Sequence, residues 1–204
     1  MARTGFALLP VSDILTPMNQ LSSIPALAGA KRYRVTANDY LRMIDGGAFG
    51  DAHVELVDGE LIEMSPSHSQ HGRLLMLLGR LLGNAYADTD FVLYGDVITL
   101  FDEDNVRAPD IAVVDNDIGE RKQLVPSDIL LAVEIAGSTL AEDLGRKRIE
   151  YSTWGIRHYW VIDVEGRRTH CYADPLGADY SAIRVVPFGE PIAVPGTGET
   201  VLVA

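Results

Sequence analysis

The sequence predicts a mixed α/β domain of the α+β kind, a sheet flanked by helices, and three observations lead there. From Ser69 to Ala87 apolar residues recur at helical spacing. Three apolar runs between residues 91 and 135 read as strands separated by acidic or Pro-containing loops. The last third is β-rich after one more helix. A chain of 204 residues fits one domain that buries its core without staples, and no fixed-period repeat or low-complexity tract suggests otherwise.

Residues 1–30 mix Pro, Ser, Thr and Ala without periodicity, so they read as an extension that is flexible or docked on the surface, and 31–204 as the single domain. Thr36 and Asp39 form a capping-box pattern that opens a short helix to about Asp45, ended by Gly46 and Gly47. In HVELVDGELIEM, Asp58-Gly59 sits between two strand-like runs, the pair a type I′ turn favours because both central residues take positive φ. The helix from Ser69 carries Leu74, Leu75, Leu78, Leu81, Leu82 and Ala85 on one wide apolar face for packing on a sheet. Strands are expected over Phe91–Phe101, Ala108–Val114 and Ile129–Ile135. A helix is expected over Thr139–Trp154 with Gly155 just past its end, then a strand in RHYWVID, then two or three weaker strands in 168–203.

Composition excludes several classes. Cys171 is the sole cysteine, so no intrachain disulfide forms and nothing marks an oxidising compartment; a cytoplasmic location is the default. No stretch approaches the roughly 20 apolar residues of a membrane span, and the first residues carry too interrupted an apolar run for a secretory signal. A net charge of -12 argues against broad, charge-driven nucleic-acid binding, because phosphate contacts draw on Lys and Arg.

Asp110 opens a strand, and Glu134 lies near the end of the apolar run ILLAVEI. Strand alternation puts Glu134 with Leu130 and Ala132 on one face and Ile129, Leu131, Val133 and Ile135 on the other, so an unpaired Glu134 would be costly. Two carboxylates on neighbouring strands, pointing into one cleft, make a hard-oxygen site suited to Mg²⁺ or Mn²⁺. The alternative is ordinary pairing with an arginine such as Arg107 or Arg146, and spacing alone leaves both open.

The segments ELVDGELIEMSP, APDIAVV, LLAVEIAGST, the spacing Asp143-x-x-x-Lys147-x-x-x-Tyr151, and GIRHYWVID occur in this order. As a set they resemble the Uma-two family of restriction-endonuclease-like proteins, in the PD-(D/E)XK nuclease superfamily, over roughly Tyr33 to Tyr172. The resemblance implies a restriction-endonuclease-like mixed sheet in which Asp110 and Glu134 bind Mg or Mn, with the Ile135 carbonyl as third ligand. The superfamily's usual Glu-x-Lys would place lysine at position 136, where this chain has Ala136; the family pattern carries it on the following helix, here Lys147. Glu60 matches the family's Asp-Gly-Glu and is a further acidic candidate, with Glu55 and Glu63 as rivals that alternation does not separate. Read without the family, Asp143 and Lys147 at i,i+4 make a surface ion pair of a few tenths of a kcal/mol.

His68 and His71 stand at i,i+3 near the start of the long helix; a zinc site would want a third matching ligand that neither Cys171 nor His170 supplies, so His71 reads as lining the cleft and contacting substrate. Arg146 belongs to one of the few basic clusters that could meet phosphate. Tyr151, Trp154, Tyr159 and Trp160 read as core aromatics rather than a base-stacking platform. Gly-Ser-Thr at 137–139 reads as a helix cap rather than a phosphate loop. The expectation is therefore a Mg-dependent endonuclease acting on nucleic acid, DNA foremost, with a two-fold homodimer aligning two clefts. Its rivals are a non-catalytic binding or assembly module on the same fold and a metal-dependent hydrolase of a small phosphate ester.

Overall fold

The computed structural model describes residues 31–64, 69–115, 118–119 and 121–204. Helix α1 (Ala37–Asp45) starts in the expected capping box, in which the Thr36 hydroxyl accepts from the Asp39 N–H and the Asp39 carboxylate accepts from the Thr36 N–H. Strands β1 (Val54–Val57) and β2 (Glu60–Glu63) follow, joined through Asp58 at φ 50° and Gly59 at φ 74°. Both values lie in the left-handed region that the turn requires. Helix α2 (Ser69–Ala85) buries Leu74, Leu78 and Leu82.

Next come β3 (Phe91–Gly95), β4 (Thr99–Leu100), β5 (Val106–Arg107), β6 (Ile111–Asp115) and, after a 3-10 turn, β7 (Ile129–Ala136). Helix α3 (Leu140–Glu142) runs through a π-helical turn, Asp143–Lys147, into α4 (Arg148–Thr153). Strands β8 (His158–Asp163), β9 (Arg168–Leu176), β10 (Asp179–Pro187), β11 (Pro191–Ala193) and β12 (Thr200–Leu202) complete the chain. The fold is thus a mixed α+β architecture, as the sequence predicts.

A six-stranded sheet in the order β10-β9-β8-β7-β6-β3 is antiparallel except for the β7–β8 pair, which α3 and α4 connect as a crossover. One apolar layer joins α2 and the β11–β12 hairpin to Leu131, Val133 and Ile135 of β7; the other holds Ala132 and Ala136 with Tyr151, Ile156 and Tyr159. Alternation therefore holds from Leu131 onward. It reverses before that point, because Val113 pairs with Leu131 but Val114 with Ile129, a bulge that sends Ile129 to the second layer and Leu130 to the first.

A separate four-stranded sheet, β2-β1-β5-β4, packs with α1 around Tyr40, Leu56 and Val106. Its existence explains two departures from the sequence reading. The expected strand 91–101 breaks at Asp96, whose φ of 51° turns the chain from one sheet to the other. The expected strand from Ala108 instead begins at Ile111, since Pro109 has no N–H for a ladder bond. Among the described residues no helix is long and apolar enough to cross a membrane.

Candidate active site

Asp110 lies just before β6, and Ile111 pairs with Val133, so Asp110 faces the end of β7. One of its oxygens, Oδ2, accepts the Ile135 N–H at 2.6 Å, which ties the carboxylate to the residue after Glu134. Glu134 points to the opposite face from Ile135, toward the π-turn and α4, and is 4 % exposed. Its Oε1 accepts the Tyr151 hydroxyl at 2.8 Å and its Oε2 lies 3.1 Å from Lys147 Nζ. The same ammonium is 3.5 Å from Asp143 Oδ1, and Asp143 Oδ2 accepts the Thr139 hydroxyl at 2.7 Å.

From the other side of the sheet, His71 in the first turn of α2 reaches the same strand end. Its Nδ1 is 3.1 Å from the Ile135 carbonyl and its Nε2 is 3.3 Å from Asp110 Oδ1. These groups border a cavity of about 460 Å³, lined by Glu55, His71, Asp110, Glu134, Thr139 and Lys147 among others. Glu55 is buried and meets Arg107 Nη1 at 2.9 Å, while Arg107 Nη2 meets Glu150 at 2.7 Å.

Carboxylates outnumber cations in this cavity, and the protonation equilibria respond. Burial pushes the Glu134 carboxyl up to about 8; the Lys147 ammonium opposes this, and the charges of Asp110, Asp143 and Glu55 reinforce it. Burial raises Asp143 too, again against Lys147. Burial alone would lower the Lys147 ammonium, but Glu134, Glu55 and Asp143 hold it above its ordinary value and so charged. Hydrogen bonding to Asp110 raises the His71 imidazole.

A family model, Uma2, described as "Putative restriction endonuclease", matches residues 37–202. The chain belongs to the Uma2 family. Its fold is also that of a solved structure from Anabaena variabilis, "a putative nuclease belonging to DUF820", with a TM-score of 0.67 at 13% identity over 82% of this chain and 94% of that one. No curated protein matches the chain.

Within this Uma2 domain, five of the groups singled out from the sequence meet at one strand end: the side chains of Asp110, Glu134, Lys147 and His71, and the Ile135 carbonyl. Two do not. Glu60 stays on the exposed strand β2, opposite Val57, while Glu55 on β1, opposite Ile62, turns inward and is buried. Arg146 lies outside the cavity lining, held by Glu150 and, at 2.7 Å, by Asp58 of the hairpin turn. His68 falls outside the described residues. The Asp143–Lys147 pair is no surface contact, since both residues are at most 3 % exposed.

Glu55, the rival of Glu60, is the glutamate of the hairpin that lines the cavity, and Asp143 and the Tyr151 hydroxyl, read from the sequence as a surface ion pair and a core aromatic, contact Lys147 and Glu134 instead. The i, i+4, i+8 spacing of Asp143, Lys147 and Tyr151 is the signal for the last two. Restriction-endonuclease-like proteins generally use divalent metals. The donors here suit one, being hard carboxylate and carbonyl oxygens in an environment with excess negative charge. Among the described residues no three His, Cys, Asp or Glu side chains are grouped to hold a metal by themselves, so the Ile135 carbonyl and water would have to complete the shell.

Proposed function

We propose that this chain is a divalent-metal-dependent endonuclease that hydrolyses nucleic-acid phosphodiester bonds. The observation that carries the reading is the approach of Lys147 and Asp110 to the Glu134–Ile135 strand end, with the ammonium 3.1 Å from Glu134 and Asp110 bonded to the Ile135 N–H at 2.6 Å. Asp110, Glu134 and the Ile135 carbonyl are the groups that would hold Mg²⁺ or Mn²⁺. A bound divalent cation would supply Lewis acidity toward the phosphoryl oxygen and lower the pKa of an attacking water. Tyr151 fixes the Glu134 carboxylate through its hydroxyl, leaving the other oxygen directed at Lys147. Lys147 presents a charged ammonium beside the point of attack, where it orients water and offsets charge that grows on the phosphoryl oxygens. His71, whose ring lies between Asp110 and the Ile135 carbonyl, is the group that would meet the substrate's phosphate.

Lys147, Arg107 and Arg146 are all engaged by carboxylates of the chain itself, so substrate phosphate would rely on the cation for much of its attraction. The test is nicking of supercoiled plasmid and cleavage of single-stranded DNA and RNA in Mg²⁺ or Mn²⁺. Wild type should cut, and Asp110→Asn, Glu134→Gln and Lys147→Met should each lose at least about 100-fold in rate. Equal cleavage by the Asp110 and Glu134 variants would remove the site. No cleavage of any substrate, with no cation bound on calorimetry, would favour a non-catalytic module, and turnover of small phosphate esters alone would point to the other hydrolase class.

A further inference from the structure

The helix that carries Lys147 departs from regular α geometry over Asp143–Lys147, the turn that ends on this cavity-lining lysine. In an α-helix, residues four apart advance about 40° past eclipse, so Asp143, Lys147 and Tyr151 would fan over roughly 80°. The π-turn Asp143–Lys147 closes its hydrogen bonds over five residues and advances less per residue. Asp143 thereby stays in line with Lys147, and both side chains are buried against β7.

We propose that Asp143 is a positioning residue for Lys147, and that the π-turn exists to align the two. This rests on the function proposed above, in which Glu134 serves as a metal ligand. A carboxylate that turns toward a cation cannot also be the sole anchor of the lysine, so a second anion is required to keep the ammonium at the cavity.

Asp143 meets that requirement. Its Oδ2 is fixed by the Thr139 hydroxyl, while Oδ1 lies 3.5 Å from Lys147 Nζ and has no hydrogen-bond partner among the described residues. It is 1 % exposed, so water does not satisfy that oxygen from bulk solvent. The turn itself is braced where it bulges, because the buried Tyr159 hydroxyl donates to the Asp143 carbonyl at 3.1 Å. Lys147 has Glu134 as its nearer partner at 3.1 Å and Asp143 as its reserve, while Glu55, whose charge also favours the ammonium, is committed to Arg107 at 2.9 Å.

The chain has three lysines, Lys31, Lys122 and Lys147, which makes a lysine-specific nuclear magnetic resonance spectrum easy to assign. With ¹³C,¹⁵N-lysine in the full chain, the Lys147 side chain should give a shifted, slowly exchanging signal in metal-free wild type. Glu134→Gln removes the charge of the first anchor at every pH, with no metal and no proton on Glu134 needed. The shifted signal should survive in Glu134→Gln and collapse to the position of the exposed lysines in Glu134→Gln/Asp143→Asn.

If that double variant does not fold, Glu134→Gln/Thr139→Ala, which frees Asp143 without removing it, should broaden the same signal. Loss of the signal in Glu134→Gln alone, or its persistence in the double variants, would overturn the inference whether or not the chain cleaves nucleic acid. In a cleavage assay, Asp143→Asn should lower kcat at least 10-fold while KM and the Mg²⁺ dissociation constant stay within threefold. An unchanged kcat would likewise count against it.

Discussion

Metal-free Glu134 should make the fold less stable as pH rises. Its carboxyl is raised from 4.5 to about 8, so between those values the folded chain keeps a proton that the unfolded chain has released. Stability from this group is fully present below about pH 4.5 and is lost as pH climbs through 8. A carboxyl raised from 4.5 to about 8 corresponds, at about 1.4 kcal/mol per tenfold change in proton affinity, to about 5 kcal/mol as an upper bound. Against a typical total of about 5–15 kcal/mol, that is a visible share. The assay is urea unfolding in a chelator at pH 5, 6, 7 and 8, for wild type and Glu134→Gln. With a slope of about 2 kcal/mol/M, the wild-type midpoint should fall by up to about 2 M relative to the variant across this range.

His71 is raised and acts with the same sign, whereas His158 and His170 are lowered by burial and act oppositely. All three are present in both proteins, so the difference curve isolates the Glu134 site. Saturating Mg²⁺ or Mn²⁺ should flatten the wild-type curve by holding Glu134 ionised. Parallel curves for wild type and variant in chelator would refute the reasoning.

Arg107→Ala should cost about 3–5 kcal/mol in the same unfolding assay, because it strands the buried Glu55 without its 2.9 Å partner; adding Glu55→Gln should restore part of the loss, and failure to do so would mean that the pair is not the cause. Leu78→Ala, at a fully buried position on α2, should cost about 2–5 kcal/mol through the cavity it leaves while the Lys147 resonance stays in place; a shift of that resonance would show that α2 packing also sets the lysine.

Local chemistry wrote several elements legibly into the chain. Asp58-Gly59 specifies its turn because few other pairs accept two positive φ values, and Thr36 with Asp39 caps α1 through groups three residues apart. The leucine spacing of α2 likewise names its buried face without reference to anything distant. The acidic pair was legible for a different reason: a carboxylate in a run as apolar as ILLAVEI demands a partner, and the ordered motifs around it pointed to the family to which the chain belongs.

What depended on long-range placement was not legible. Phe91–Phe101 looks like one strand until two sheets compete for its halves, and Asp96 takes the strained backbone that divides them. Three glutamates flank the hairpin with equal local claims, and Glu55 turns inward because buried Arg107, 52 residues later, waits there. Lys147 at i+4 from Asp143 is a surface pair by every local rule. It becomes a buried one because α3, the π-turn and α4 form the crossover between the parallel strands β7 and β8, which lays that helix face on Glu134. By itself, then, the sequence determined which residues carry charge into an apolar strand and which turns close locally; only the tertiary structure decided which charges meet, since convergence at one strand end depends on register, crossover and burial that no short window of sequence contains.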